Sequence, residues 1–175
     1  MNKTSILVVD DEDITLSMLK AMIEQLGYDV LTAESGAEAL DVMDANDVDL
    51  VISDQHMPGM DGHVLLQRIK KKHEYLPVIM LTAYGSIEKA VEAIKNGAID
   101  YLTKPLRSDA LRLVVERTLK YSRQDMEIRE QKQFLSSRYG FESIVTQSPM
   151  MHESIELAGR VAEIPNAAVA IYGES

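Results

Sequence analysis

Residues 5–11 read SILVVDD, residues 49–54 read DLVISD and residues 77–82 read PVIMLT. Each is a short apolar run, rich in β-branched residues, that ends on a carboxylate or a hydroxyl. Runs of this length without polar alternation fit strands covered on both faces, as in a parallel sheet. Two weaker runs, Asp29–Ala33 (DVLTA) and Asp100–Thr103 (DYLT), bring the set to five.

Between the runs the apolar spacing turns helical. Ile14, Leu16, Met18, Leu19, Met22, Ile23 and Leu26 mark a first helix that Gly27 stops. Gly36–Asn46, Gly62–His73, Ser86–Asn96 (stopped by Gly97) and Arg107 to about Tyr121 carry similar patterns. Strand and helix thus alternate five times, which predicts a doubly wound α/β domain with helices on both faces of a five-stranded parallel sheet. Ligands of such sheets bind beyond the carboxyl ends of the strands.

That rule selects the candidate residues. Asp10 and Asp11 follow the first run, Asp54 the third, Thr82 the fourth and Lys104 the fifth. A single aspartate after a strand is ordinarily a turn or helix-cap residue, and Asp13 and Asp61 are read that way. Five such groups on one rim are another matter. Three carboxylates brought together repel one another unless a cation is present. An all-oxygen ligand set suits Mg²⁺, which shares its shell with water and phosphate oxygens. Lys104 adds a mobile positive charge and Thr82 a hydroxyl donor. An aspartate can act as a nucleophile toward phosphorus, and phosphoryl transfer needs chiefly positioning and charge neutralisation.

Composition narrows the classes. The 175 residues carry a net charge of −10, and 46% are hydrophobic. The acidic balance argues against this chain binding nucleic acid or an anionic membrane by itself. No cysteine is present, so there is neither a disulfide nor a thiolate metal site. No apolar run approaches the ~20 residues of a membrane span, and the chain is expected to be cytoplasmic. His63, His73 and His152 show no ligand spacing, so no zinc is expected. The run Arg68, Lys70, Lys71 and Lys72 reads as a solvated face complementing a helix C-terminus. Met18, Met22 and Met43 read as core filler.

The segments VVDDE (8–12), SDQHMPGMDG (53–62), MLTAYG (80–85) and GAIDYLTKP (97–105) together resemble bacterial response-regulator receiver domains, which have the CheY-like (flavodoxin-like) fold. The resemblance implies Asp54 as phospho-acceptor. It implies Asp10, Asp11, Asp54 and the backbone carbonyl of His56 as Mg²⁺ ligands. Thr82 and Lys104 would contact the phosphoryl group, Tyr101 would be an aromatic switch moving with Thr82, and Lys104–Pro105 would be cis. A sensor histidine kinase would be the donor, and residues 86–121 would form the face that repacks. His56 and Tyr84 flank the site and are expected to tune the access of water to the acyl phosphate.

Beyond Tyr121 the helical pattern continues. Residues 122–140 are expected to be a helical linker, a candidate dimerisation coiled coil with Val114, Tyr121, Ile128 and Leu135 in one heptad column. Ser148–Pro149 reads as a cap and first residue of a further helix reaching about Glu163, and AAVAIY (167–172) as a buried strand. Residues 141–175 resemble the opening of the AAA+ ATPase domain of NtrC-like, sigma-54-dependent activators, in which Gly173, Glu174 and Ser175 would begin the phosphate-binding loop. The expected organisation is a receiver (1–121), a linker (122–140) and a truncated AAA+ start (141–175). ATP, sigma-54 RNA polymerase and DNA would then concern a full-length parent, and this chain would be a switch rather than an ATPase. Two other classes fit the sequence less well. Haloacid-dehalogenase-like phosphatases carry Asp-x-Asp at the first strand, whereas Asp10 and Asp11 are adjacent. A phosphorylation-independent interaction module would not need Asp54, Thr82 and Lys104 together.

Overall fold

The computed structural model describes residues 3–83, 94–139, 144, 146–162 and 164, with only the backbone of 83, 135–139 and 162. Five strands are present: β1 (Ser5–Val9), β2 (Asp29–Ala33), β3 (Leu50–Asp54), β4 (Val78–Ala83) and β5 (Asp100–Lys104). All pairings are parallel, in the order β2-β1-β3-β4-β5. The order reverses between β1 and β3. This is the crevice where doubly wound sheets bind ligands.

Strand periodicity of two sorts the core into two layers. Ile6, Val8, Ile52, Ile79 and Leu81 point to one face, and α1 (Asp13–Gln25) and α4 (Ser108–Tyr139) cover them with Leu16, Leu19, Ile23, Leu111, Val115 and Leu119. Leu7, Val9, Val51, Val78 and Met80 point to the other. There α2 (Gly36–Ala45) and α3 (Gly62–Lys72) supply Ala39, Met43, Leu65, Leu66 and Ile69. The doubly wound architecture expected from the runs is the one observed.

Local chemistry sets the ends of the elements. Ser35 caps α2, accepting from the amide of Glu38, while the Glu38 carboxylate accepts from the Glu34 amide. Asp61 caps α3 through the amide of His63 at 2.7 Å. Gly27 closes α1 at φ +92°, a left-handed conformation that a side chain resists. The Arg117–Asp100 ion pair and an Arg123 Nη2 to Thr4 Oγ1 hydrogen bond of 2.8 Å tie α4 to the sheet.

Several expectations need correcting. β3 ends on Asp54, β4 contains Thr82 and β5 ends on Lys104, so these three lie within their strands rather than follow them. The ladder reaches this far because the Gln55 amide still donates to the Leu81 carbonyl at 3.0 Å. Met18 is not core filler, for it lies on the outer side of α1 and is exposed, as is Ile14. Val64 and Leu113 also face outward. Lys70 is not merely a solvated charge: its Nζ donates to the carbonyls of Glu74 (3.1 Å) and Leu76 (2.8 Å), and burial pushes its pKa down against the pull of Glu74.

The helix after β5 runs without a break from Ser108 to Tyr139. Two compact units are distinguished, 1–125 and 126–175. In the second, α5 (Pro149–Ala162) begins on the proline the sequence marked. Most of the expected helix 86–96 lies outside the described residues, although Ile94 and Lys95 are helical. Tyr84, the 167–172 strand and Gly173–Ser175 also lie outside them. Among the described residues no helix is long and apolar enough to cross a membrane.

The layered core predicts a contrast. Ile52 is fully buried in the central strand, whereas Leu113 is 63% exposed on α4. Urea denaturation should show Ile52→Ala losing about 2–5 kcal/mol and Leu113→Ala changing by no more than about 0.5 kcal/mol.

Candidate functional site

The site forms at the carboxyl ends of β1, β3 and β5. β1 delivers Asp10, whose amide bonds the Ala33 carbonyl at 3.2 Å and whose side chain is fully buried. Asp11, one residue on, is exposed. β3 delivers Asp54, 7% exposed. β5 delivers Lys104, whose Nζ lies 2.8 Å from Asp10 Oδ2 and 3.0 Å from Asp54 Oδ1. One carboxylate oxygen each from Asp10, Asp11 and Asp54 falls within a 4.8 Å cluster. The acids and the lysine singled out from the sequence thus meet on one rim.

Thr82 lies on β4 and is 3% exposed. The register sets Leu81 opposite Asp54 and Thr82 opposite Thr103. Tyr101 sits on β5 and is 38% exposed. The Lys104–Pro105 peptide is cis. His56 is exposed; its amide donates to Asp54 Oδ2 at 3.2 Å and its Nδ1 lies 3.8 Å from Asp61 Oδ2.

Close packing leaves the loop after β3 little freedom. A Cβ added to Gly62 would come within 2.1 Å of the Asp54 carbonyl oxygen, so only glycine lets α3 start against the strand end. The Gly62 amide in turn donates to the Gln55 carbonyl at 3.0 Å. A Cβ at Gly36 would meet the Met60 side chain at 2.9 Å.

The charge balance is uneven. Burial raises the Asp10 pKa above the ordinary carboxylate range, against the hydrogen bonds from Lys104 and the Glu12 amide. Burial alone would lower Lys104, but its bonds to Asp10 and Asp54 outweigh this and hold it up. The same ion pair thus favours the ammonium and still leaves Asp10 raised. Complete burial of Asp10 decides its sign, because loss of solvation outweighs the hydrogen bonds and charge that Lys104 and the Glu12 amide supply. The donor set is all oxygen, which fits a hard divalent cation.

Sequence reasoning missed Gln55 and His63. Gln55 Nε2 lies 3.0 Å from His63 Nε2, and Gln55 is 4% exposed. Gln55 lies inside the 53–62 motif, but nothing in the sequence joins it to His63. Only the folded approach of β3 to α3 joins them.

The response regulator receiver domain family matches residues 6–116. The chain belongs to that family. Transcriptional regulatory protein GlrR of Escherichia coli K12 is 41% identical over 170 residues, covering 97% of this chain and 36% of GlrR. The DNA-binding transcriptional regulator NtrC of the same organism is 33% identical over the whole chain, again 36% of the relative. The chain thus spans about a third of the length of these curated relatives. Among solved structures, a receiver domain protein from Clostridium thermocellum is 36% identical with a TM-score of 0.65, covering 69% of this chain and 98% of that one. NtrX from Brucella abortus in complex with ADP is 34% identical with a TM-score of 0.71, covering 92% of this chain and 34% of its own.

The raised Asp10 pKa has a sign for stability. A carboxyl raised in the fold contributes stability below its unfolded pKa, and that contribution is lost as pH rises through the folded pKa. At neutral pH, without divalent cations, ionised Asp10 therefore destabilises the receiver. Thermal melts in chelator at pH 7 should show Asp10→Asn above wild type by about 2–8 °C, the span that a gain of about 1 kcal/mol brings in domains of this size range. The gap should narrow as pH falls toward 4.

Proposed function

We propose that this receiver takes a phosphoryl group on Asp54 from the phosphohistidine of a sensor histidine kinase. The carrying observation is the position of Lys104 Nζ between Asp10 and Asp54, with Asp11 in the same cluster. Asp10, Asp11, Asp54 and the His56 carbonyl would hold Mg²⁺. The bound cation would supply the positive charge that a phosphoryl group needs beside three carboxylates.

Each residue has a definable task. An Asp54 oxygen forms the new bond to phosphorus while the phosphorus–nitrogen bond of the donor breaks. Lys104 already bonds both acids and follows the added charge, ≈ −1.5 to −2 for a phosphoryl group near neutral pH. Thr82 offers its hydroxyl, and Tyr101, exposed on the neighbouring strand β5, moves as the site contracts. Little covalent work falls to the protein, so positioning and electrostatics carry the rate.

The likeness to GlrR and NtrC supports a wider reading. The parent protein would be a sigma-54-dependent activator with an AAA+ domain that begins at about residue 141. Residues 122–140 would be the linker, and residues 86–121 with that linker would join a homodimer whose rearrangement gates ATPase assembly at DNA. The unbroken α4 and the apolar column of Tyr121 and Ile128, both exposed, support a helical dimer seam. The reading does not require this chain to turn over ATP.

Incubation with acetyl phosphate and Mg²⁺, followed by intact-mass analysis, should give one phosphoryl adduct on wild type and none on Asp54→Ala. Lys104→Met should slow adduct formation roughly 10²–10³-fold, the usual loss on removing one donor that meets developing charge. An undiminished adduct on Asp54→Ala would overturn the assignment.

A further inference from the structure

Gln55 is a large polar side chain buried immediately after Asp54, and at 4% exposed it has almost no access to water. Among the described residues its side-chain amide meets His63 on α3, with Nε2 to Nε2 at 3.0 Å. Gln55 Oε1 and His63 Nδ1 are both buried without a hydrogen-bond partner among the described residues. Turning the amide over does not help. If the nitrogen donates, Oε1 and the protonated Nδ1 are left over. If the oxygen accepts, the amide nitrogen and an unprotonated Nδ1 are left over.

Two leftover polar atoms make this pair a poor source of stability. Leucine at both positions would fill comparable space with nothing unsatisfied, a replacement that is commonly neutral or stabilising. The pair is also well placed to do something else. The Gln55 amide bonds the Leu81 carbonyl beside Thr82 at 3.0 Å, and the Gln55 carbonyl accepts from Gly62 at 3.0 Å. The side chain adds the third tether, to His63, whose own amide is fixed by Asp61 at 2.7 Å. The next peptide is that of His56, whose amide donates to Asp54 Oδ2 at 3.2 Å.

We propose that Gln55 and His63 form a positioning pair that holds the start of the β3–α3 loop, and with it the His56 peptide and the Asp54 carboxylate, in the geometry that takes the divalent cation and the phosphoryl group. The proposal rests on the reading of Asp54 as the acceptor and deepens it. Neither residue touches the reacting atoms. Both act through the peptide between them and the site, as outer partners of metal ligands do.

The test compares wild type, Asp54→Ala and the double variant Gln55→Leu with His63→Leu. Three quantities are read: melting temperature, the Mn²⁺ dissociation constant from water proton relaxation, and the Mg²⁺ dependence of phosphorylation by acetyl phosphate. The double variant should melt at or above wild type in chelator. Its Mn²⁺ dissociation constant and half-saturating Mg²⁺ should rise about 10–100-fold, the usual effect of losing an outer partner of a metal ligand. Saturating Mg²⁺ should recover most of the rate. A folded double variant with wild-type cation dependence would overturn the pairing and leave the Asp54 reading intact. Absence of any adduct on wild type would overturn the Asp54 reading and the pairing with it. Should the double variant not fold, His63→Gln against His63→Leu decides. The glutamine can still bond Gln55 and should keep near wild-type Mg²⁺ dependence, and equal loss in both would overturn the proposal.

Discussion

Among the described residues, one ammonium group faces three carboxylates at the rim of this sheet. Lys104 can hydrogen-bond Asp10 and Asp54 at once, and it does. It cannot also neutralise Asp11, whose oxygen lies in the same cluster. Burial keeps Asp10 raised in pKa even with the lysine bonded to it. Among the described residues, the cluster thus carries more negative than positive charge. A group bringing positive charge relieves it. In the reading proposed here, that is what couples a divalent cation to phosphoryl chemistry.

The fold exists, in functional terms, to hold that imbalance in place. β1 and β3 are neighbours in the sheet and their carboxyl ends flank the point where strand order reverses. Two apolar layers clamp the strands from both faces, so the carboxylates cannot relax apart without disturbing buried core. Gly62 allows α3 to begin against the Asp54 carbonyl, and Gln55 continues the β3–β4 ladder by one bond. Stability spent on crowding like charges is recovered from the layers around them.

Much of this was legible in the sequence, because the signals were redundant. Five apolar runs and the helical spacing between them fix a parallel sheet, and residues ending such runs must meet on one edge. Strand ends were less legible: Asp54, Thr82 and Lys104 lie within strands by one or two positions, since a ladder can outlast its apolar run. The core reading failed at Met18, an apolar residue on a helix flank that turned to solvent. A helix covering one face of a sheet buries one stripe, and several apolar residues in a row overfill it. Lys70 and the Gln55–His63 pair carried no sequence signal. Their partners are backbone carbonyls or residues on another element, and those approaches exist only after folding.

The central claim is that the rim lacks positive charge that a divalent cation can supply. The most direct measurement is the melting temperature of the receiver during Mg²⁺ titration at constant ionic strength. Ligand linkage requires a rise that grows with the logarithm of Mg²⁺ above the dissociation constant, about 2.7 kcal/mol of added stability at a hundredfold excess over it. The rise should be lost in Asp11→Asn, which keeps the buried Asp10–Lys104–Asp54 contacts and removes the exposed acid. A melting temperature indifferent to Mg²⁺ in wild type, or an equal rise in Asp11→Asn, would contradict the account.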